Sequence, residues 1–505
     1  MAEQAVSDDT DTDDTNTAHK ATSAAGSSGV SGSSMQPGVW STVWATLIGG
    51  LAVLFGTTII SVAIKPLAVA LNAPVSTIQW VSTAYLLMLG VTIPLDGWAQ
   101  RRFGGKRLWI TGLVIFMIAS ILSSLSWNAA ALIVFRGLQG VGGGILMPLM
   151  LTLVMQAAHG RNIGKIMSVV SMPAILGPIL GPVLGGLILD HLAWPWLFWV
   201  NVPFCVVGII LAIVALPKDG PTHNAPLDIP GFILMAAGLV GVLYGLSNAS
   251  SAGGFGAANV LVPLVGGAIL LVAFVWWALI RREKALVDIR LLKHWPLASA
   301  SSLLFLSGFA LYGAMLLLPL YFQTLRGLTP LQAGLMLIPQ GLGTFASRSI
   351  AGNLTDSIGA RWVTVVGFAI LTLGTVPFAF ADANTSYIWI GFVLFVRGIG
   401  LGAVTLPLMA VAYQGLAPKE VPDASLFSRI GQQVGGSFGA AVLVVILESA
   451  AGNITQASQA SGAFQTSFWW TTGFTVFALV LSFWLPGAPA TPKTEELANE
   501  EDAEL

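Results

Sequence analysis

Charge is scarce in this chain. Of 505 residues, 9% are Asp, Glu, Lys or Arg and 55% are hydrophobic, and the mean hydropathy is +0.81. A soluble domain carries about a quarter charged residues, so a soluble globular protein is excluded. The net charge of −1 leaves no basic field for nucleic acid. Cysteine is reduced to Cys205, which excludes a disulfide within the chain. The five histidines, His19, His159, His191, His223 and His294, fall in tails or loops. No His-Glu-x-x-His pattern or pair of acids stands within an apolar run, so a membrane-embedded enzyme is not expected. No Gly-x-x-x-x-Gly-Lys-Ser/Thr loop occurs, so ATP is not expected as the direct energy source. The first residues are acidic and rich in Ser, Thr and Gly, so no removable signal peptide is expected.

What is present is long uncharged sequence. No residue is charged from Ile229 to Ile280 or from His294 to Leu325. Each run exceeds the roughly 20 apolar residues that cross a bilayer. The chain therefore reads as an all-α polytopic membrane protein. Fourteen spans are expected, near 40–64, 78–98, 108–126, 129–155, 166–189, 196–216, 229–248, 259–280, 297–322, 330–354, 362–381, 387–415, 424–448 and 467–485. Tryptophans gather near their ends, as at Trp40, Trp127, Trp194, Trp276, Trp295 and Trp469, where interfacial belts form. Of 23 acids, six lie in the first 14 residues and six in the last 11. Every second loop is basic, with Arg101, Arg102, Lys106 and Arg107, then Arg161 and Lys165, and later Arg281, Arg282, Lys284, Arg290 and Lys293. The alternate loops hold little beyond Lys65 and Arg326. Basic loops stay inside, so both termini are expected in the cytoplasm.

The sequence repeats itself. Gly97, Gly104 and Gly112 match Gly352, Gly359 and Gly367 at the same spacing, and each copy is followed by a span with an Arg-Gly start, at Arg136 and Arg397. Two parallel six-helix halves with two extra spans between them account for all fourteen. Residues 1–39 read as a disordered acidic and Ser-rich tail, 40–216 as the first bundle, and 217–296 as two linker helices with cytoplasmic loops. Residues 297–485 read as the second bundle and 486–505 as an acidic tail. Paired bundles around a midplane cavity suit a secondary transporter. One further run stands out: Gly177-Pro178-Ile179-Leu180-Gly181-Pro182-Val183-Leu184-Gly185-Gly186. Gly at every fourth position bares one helix face, which lets membrane helices approach closely, and proline bends them. The run fits a static packing motif or a helix that moves between two shapes.

These residues resemble the major facilitator superfamily, in its fourteen-helix drug:proton antiporter branch (EmrB/QacA-type). The resemblance covers roughly 40–485. It rests on the loop motif at 97–107 and its second copy at 352–361, on Arg136-Gly137-Leu138-Gln139-Gly140-Val141-Gly142, and on the antiporter motif from Gly177 to Gly186. Trp194-Pro195-Trp196-Leu197-Phe198-Trp199-Val200-Asn201-Val202-Pro203 is similar to a branch signature, with Pro195 where Arg is usual. The resemblance implies that Gly97, Arg101, Gly104 and Arg107, with Gly352, Asp356, Gly359 and Arg361, form a cytoplasmic gate. It also implies that Gly177, Gly181, Pro182, Gly185 and Gly186 control helix packing. The branch usually carries Asp in span one; here Gly56 stands at the acid position and Ser61 at the Asn position.

Arg136, Arg397 and Arg429 fall inside apolar spans, where charge is costly and faces the bundle interior or a wet cavity; Arg429, which begins its span after a cytoplasmic loop, is expected to snorkel. Arg136, with Gln139 beside it, either tunes coupling electrostatically or fixes packing through backbone carbonyls; Arg397 is its repeat counterpart. Proton-carrier candidates are Asp96, Asp190 and Glu448. No span has an acid at mid-membrane, which favours neutral or anionic amphipathic substrates, or cations held on aromatic faces. The expected function is export of amphipathic or drug-like molecules by proton antiport, from the plasma (inner) membrane, as a monomer without cofactor or metal. The alternative is a proton-independent facilitator or importer of one metabolite.

Overall fold

The computed structural model describes residues 37–158, 177, 180–219, 227–248, 256–281, 285–287, 289–416, 421–451 and 457–487. Both tails, the loop bearing Arg161 and Lys165, and Pro178 lie outside the described residues. In chain order the helices are α1 Pro37–Thr58, α2 Ile64–Ala70, α3 Val75–Ile78, α4 Trp80–Phe103, α5 Gly105–Ser124, α6 Ala129–Ala158, α7 Leu180–His191, α8 Trp196–Trp199 and α9 Asn201–Ala215. They continue as α10 Ile229–Ser247, α11 Ala258–Arg281, α12 Trp295–Leu320, α13 Pro330–Met336, α14 Ile338–Ile358, α15 Ala360–Leu373, α16 Tyr387–Tyr413, α17 Val421–Ala451 and α18 Ala457–Ser482. No strand occurs among the described residues. Among them eleven helices are long and apolar enough to cross a membrane. Three further helical stretches, α7, 330–358 and α18, stand where the sequence predicts further spans.

Helices α1–α9 form a first bundle around Leu113, Trp109, Phe116, Leu146 and Cys205. Helices α12–α18 form a second around Leu304, Phe368, Leu401 and Leu408. A third cluster joins the two, setting Ile60, Leu67 and Phe198 among Leu317, Tyr321, Ala333 and Val444. The hairpin α10–α11 lies over the seam between α4 and α17, where Leu87 and Val91 meet Met235, Leu243 and Ala441. The bundles repeat each other in backbone as in sequence. Gly104 has φ 87° and ψ 155°, and Gly359 has φ 87° and ψ 148°. Side chains avoid that region, so glycine ends α4 and α14 with the same sharp turn.

Two spans break just ahead of a proline, while Pro94, Pro148, Pro263, Pro319 and Pro407 lie inside continuous helices. Span one is not the single helix expected over 40–64. It ends at Thr58, passes through a tight 3-10 turn at Ile59–Val62, and resumes as α2. The ring of Pro66 excludes the carbonyl four residues earlier from the helical ladder, and that carbonyl belongs to Val62. Likewise α13 and α14 part at Leu337, ahead of Pro339. Thr329 starts α13 with a capping box closed by Gln332.

Candidate functional site

Arg136 and Arg397 are fully enclosed, each 1% exposed. Arg136 on α6 donates from Nε to the Val81 carbonyl at 3.0 Å and from Nη2 to the Gly56 carbonyl at 2.9 Å. Its Nη1 donates to Gln139 Oε1, and Gln139 passes a 2.6 Å bond to Ser120 Oγ. The guanidinium lies 4.1 Å above the Tyr85 ring. Arg397 on α16 repeats the design, donating from Nη2 to the Ala310 carbonyl at 2.8 Å and from Nη1 to Gln340 Oε1 at 2.7 Å. Gly56 and Ala310 lie on the first long helix of their bundles, and Tyr85 precedes Gly97 by the same interval that separates Gln340 from Gly352. Each arginine therefore ties the first two spans of its bundle to the fourth. Of the two roles open at Arg136, the geometry is that of packing through backbone carbonyls. The guanidinium reaches the main chain of Gly56, at the position of the branch's usual acid.

The antiporter motif divides by face. Gly177, Gly181 and Gly185 turn to span one, where an added Cβ would meet Leu54, Thr58 and Ile59 within 2.6 Å. Pro182 and Gly186 turn to the other bundle. A Cβ on Gly186 would lie 2.4 Å from Leu331 Cα, and one on Gly334 would lie 2.4 Å from the Pro182 carbonyl. Thus α7 and α13 interlock, backbone against backbone, across the bundles.

Polar bonds cross at the same end of the molecule. Lys65 Nζ donates to the Gln323 carbonyl, and Gln323 Nε2 donates 2.7 Å to the Val62 carbonyl, the one that Pro66 leaves free. Asp190 Oδ1 accepts a long 3.4 Å bond from Leu331 N. Glu448 Oε1 accepts from Ser76 N at 2.7 Å. Two of the three expected proton carriers therefore sit between the bundles, bound to main-chain donors. Asp96 differs: it is 4% exposed on α4, and its Oδ1 has no hydrogen-bond partner.

The loop motifs are held within their own bundles. Asp219 caps α5, accepting from Lys106 N at 2.7 Å and Arg107 N at 3.2 Å, while Lys106 Nζ reaches the carbonyls of Ile213 and Leu216. A Cβ on Gly104 would lie 2.3 Å from Asp219 Cγ. Arg101 and Arg107 are exposed. Among the described residues, a Cβ on Gly97 would meet only Arg101 within 4 Å and one on Gly352 would meet nothing. Arg361 lies 5.9 Å from the Trp362 ring, and its Nε is buried without a partner. The side chain of Asp356 lies outside the described residues.

The sequence model of the Major Facilitator Superfamily matches residues 46–440. The chain belongs to the major facilitator superfamily. A multidrug resistance protein B homolog of Mycobacterium tuberculosis H37Rv is 34% identical over 415 residues, covering 82% of this chain and 77% of the relative. A lincomycin resistance protein, LmrB, of Listeria monocytogenes is 29% identical, covering 86% of this chain and 93% of the relative. The fold is similar to that of a nucleoside transporter (TM-score 0.63, 12% identity, 88% of this chain and 99% of that one) and of a POT family peptide transporter (0.64, 14%, 88% and 96%). As a major facilitator, the chain is a multi-pass membrane transporter and not an enzyme. Four residues that hold this geometry were missed in the sequence: Tyr85, Gln340, Asp219 and Gln323. Repeat register gives a signal for the first two alone.

Proposed function

We propose that this major facilitator exports amphipathic, drug-like molecules by alternating access, driven by proton antiport. On this reading it is a fourteen-span monomer of the plasma (inner) membrane, with cytoplasmic termini and no cofactor. The relatives named for multidrug and lincomycin resistance support export. The observation that carries the reading is the divided antiporter motif: Gly177, Gly181 and Gly185 pack on span one, while Pro182, Gly186 and Asp190 of α7 meet α13 of the second bundle. A joint of that kind parts as one piece, which is what two rocking bundles require. In this scheme the α7–α13 end closes the outer side, the loops at 97–107 and 352–361 form the cytoplasmic gate, and Asp96 carries the proton on its unpartnered Oδ1. Transport in inverted vesicles tests the proposal. Proton-gradient-driven uptake is expected, and flux that merely equilibrates overturns antiport.

A proton-independent facilitator is the second reading. It is favoured by Gly56, since Arg136 binds a carbonyl there and has no carboxylate to exchange protons with. On substrate charge, the lack of a mid-membrane acid in the sequence supports neutral or anionic amphiphiles, or cations held on aromatic faces. Export of a quaternary dye but not of an acidic amphiphile would contradict this.

A further inference from the structure

We propose that Arg348 binds an oxyanion, the carboxylate or sulfonate of an aromatic amphiphile, in the cleft between the two bundles. The proposal rests on the export reading and names a residue that selects its substrate. Ten residues of α14 lie on each side of Arg348, so at 1.5 Å per residue it stands about 15 Å from either end of the helix. Arg136 and Arg397 direct their donors to main-chain carbonyls and a glutamine. Arg348 does not. It is partly buried, and among the described residues it makes no hydrogen bond and no ion pair. Its neighbours three and four residues away are Thr344, Phe345, Ala351 and Gly352, so its own helix face offers no carboxylate.

Helix register places Arg348 on the side that faces the first bundle. Gly343 and Ser347 pack on α16: a Cβ on Gly343 would lie 2.1 Å from the Phe395 carbonyl, and one on Gly402 would lie 2.2 Å from Ser347 Oγ. Ile350 and Leu354 line a lateral cavity with Val363 and Val366 of α15. Arg348 belongs to neither side. Gly341, Phe345, Arg348 and Gly352 follow Gly334 by seven, eleven, fourteen and eighteen residues, which is one helical face. Leu337, between the two helices, keeps right-handed helical dihedrals, so the register carries across. Gly334 is the residue that meets Pro182 of the first bundle. Deeper along the same face the bundles have parted: Phe345 is 55% exposed, and a Cβ on Gly352 would meet nothing within 4 Å among the described residues. The opposing span brings no counter-charge. Its one acid, Asp190, sits at the outer end against Leu331 N, and residues 159–179 contain no Asp or Glu.

A guanidinium keeps its charge at any accessible pH, and its planar fork matches two oxygens of a carboxylate or sulfonate. An uncompensated cation at this depth is costly, and a bound oxyanion offsets that cost. Phe345, one turn away on the same face, offers a ring to the apolar body. A neutral amphiphile meets the ring and makes no use of the charge, and a cation is repelled.

1-Naphthaleneacetate and 1-naphthaleneacetamide test this, because they share a ring and a shape and differ in charge. Equilibrium binding of each, radiolabelled, is measured on the full chain in phosphatidylcholine nanodiscs. The wild type is expected to hold the acid about tenfold tighter than the amide, the worth of a charge-assisted hydrogen bond. Arg348→Gln is expected to abolish that preference and to leave the amide's affinity unchanged, which also reports an intact fold. Arg348→Lys is expected to restore part of the preference, as a point charge without the fork. Phe345→Ala is expected to weaken both ligands alike. Equal affinity of the wild type for acid and amide, a preference for the acid that survives Arg348→Gln, or equal loss of both ligands in that variant would overturn the proposal. Arg348-dependent binding of the acid in a protein that shows no gradient-driven flux in vesicles would overturn the export reading and leave the site standing. Gradient-driven export of the acid that is unchanged by Arg348→Gln would do the reverse.

Discussion

At the scale of single residues, the buried arginines are organising cations rather than exposed binding groups. Arg136 satisfies the carbonyls of Gly56 and Val81 and the amide of Gln139 at once, which a planar fork can do and an ammonium cannot. Arg136→Leu removes the side-chain donors that the Gly56 and Val81 carbonyls and Gln139 share, at roughly 1 kcal/mol or more for each bond lost. Denaturant unfolding in detergent should show that loss, and Arg136→Lys should recover little of it. A lysine variant as stable as the wild type would refute the fork argument. Asp96→Asn should leave folding intact and remove the pH dependence of flux in vesicles; unchanged pH dependence excludes Asp96 as the carrier. In the loop before α16, the Thr385 hydroxyl and the Asn384 N–H hold Asp382 below the usual carboxylate range. A carboxylate of lowered pKa contributes stability above its unfolded value, near 3.9, and loses it as pH falls through the folded value. Asp382→Asn should therefore flatten the acid limb of the unfolding profile; an unchanged limb contradicts that assignment.

At the scale of elements, small departures from regular helix make the contacts. Pro66 ends the α-helical ladder of span one, and the released Val62 carbonyl becomes the acceptor for Gln323 across the bundles. The glycines of α7 do two jobs on two faces, and the proline of the next position, Pro182, supplies the carbonyl that Gly334 approaches. Gly186→Leu should abolish transport while insertion and bundle stability remain, because the atoms nearest its Cβ all belong to α13. Gly181→Leu should cost stability as well, since its Cβ would fall 1.9 Å from Thr58 Oγ1 inside the first bundle. Equal behaviour of the two variants in transport and in unfolding would remove the distinction. Much of this level was legible in the sequence. Uncharged runs gave the helices, and matched glycines gave the repeat, because a positive-φ turn admits little else. The two faces of the antiporter motif were not legible, since spacing marks a bare stripe but not the partner that fills it. Nor was Asp219 as the cap of α5, because its role depends on how the chain returns after α9.

At the scale of the molecule, two bundles of one design meet along α4 and α17 and at α7 and α13, with a hairpin laid over the first seam. The bundle cores are packed apolar clusters, which resist deformation. The contact between α7 and α13 is narrow, backbone on backbone, and is joined by few polar bonds. Motion should therefore appear as rigid rocking of whole bundles. The most direct test places spin labels at Leu192→Cys and Asn384→Cys, one exposed site on each bundle near that contact, in a Cys205→Ser background. Pulsed dipolar spectroscopy then measures their separation in nanodiscs. The account predicts two distance populations whose ratio shifts with pH and with added substrate. A single population unmoved by either would contradict it.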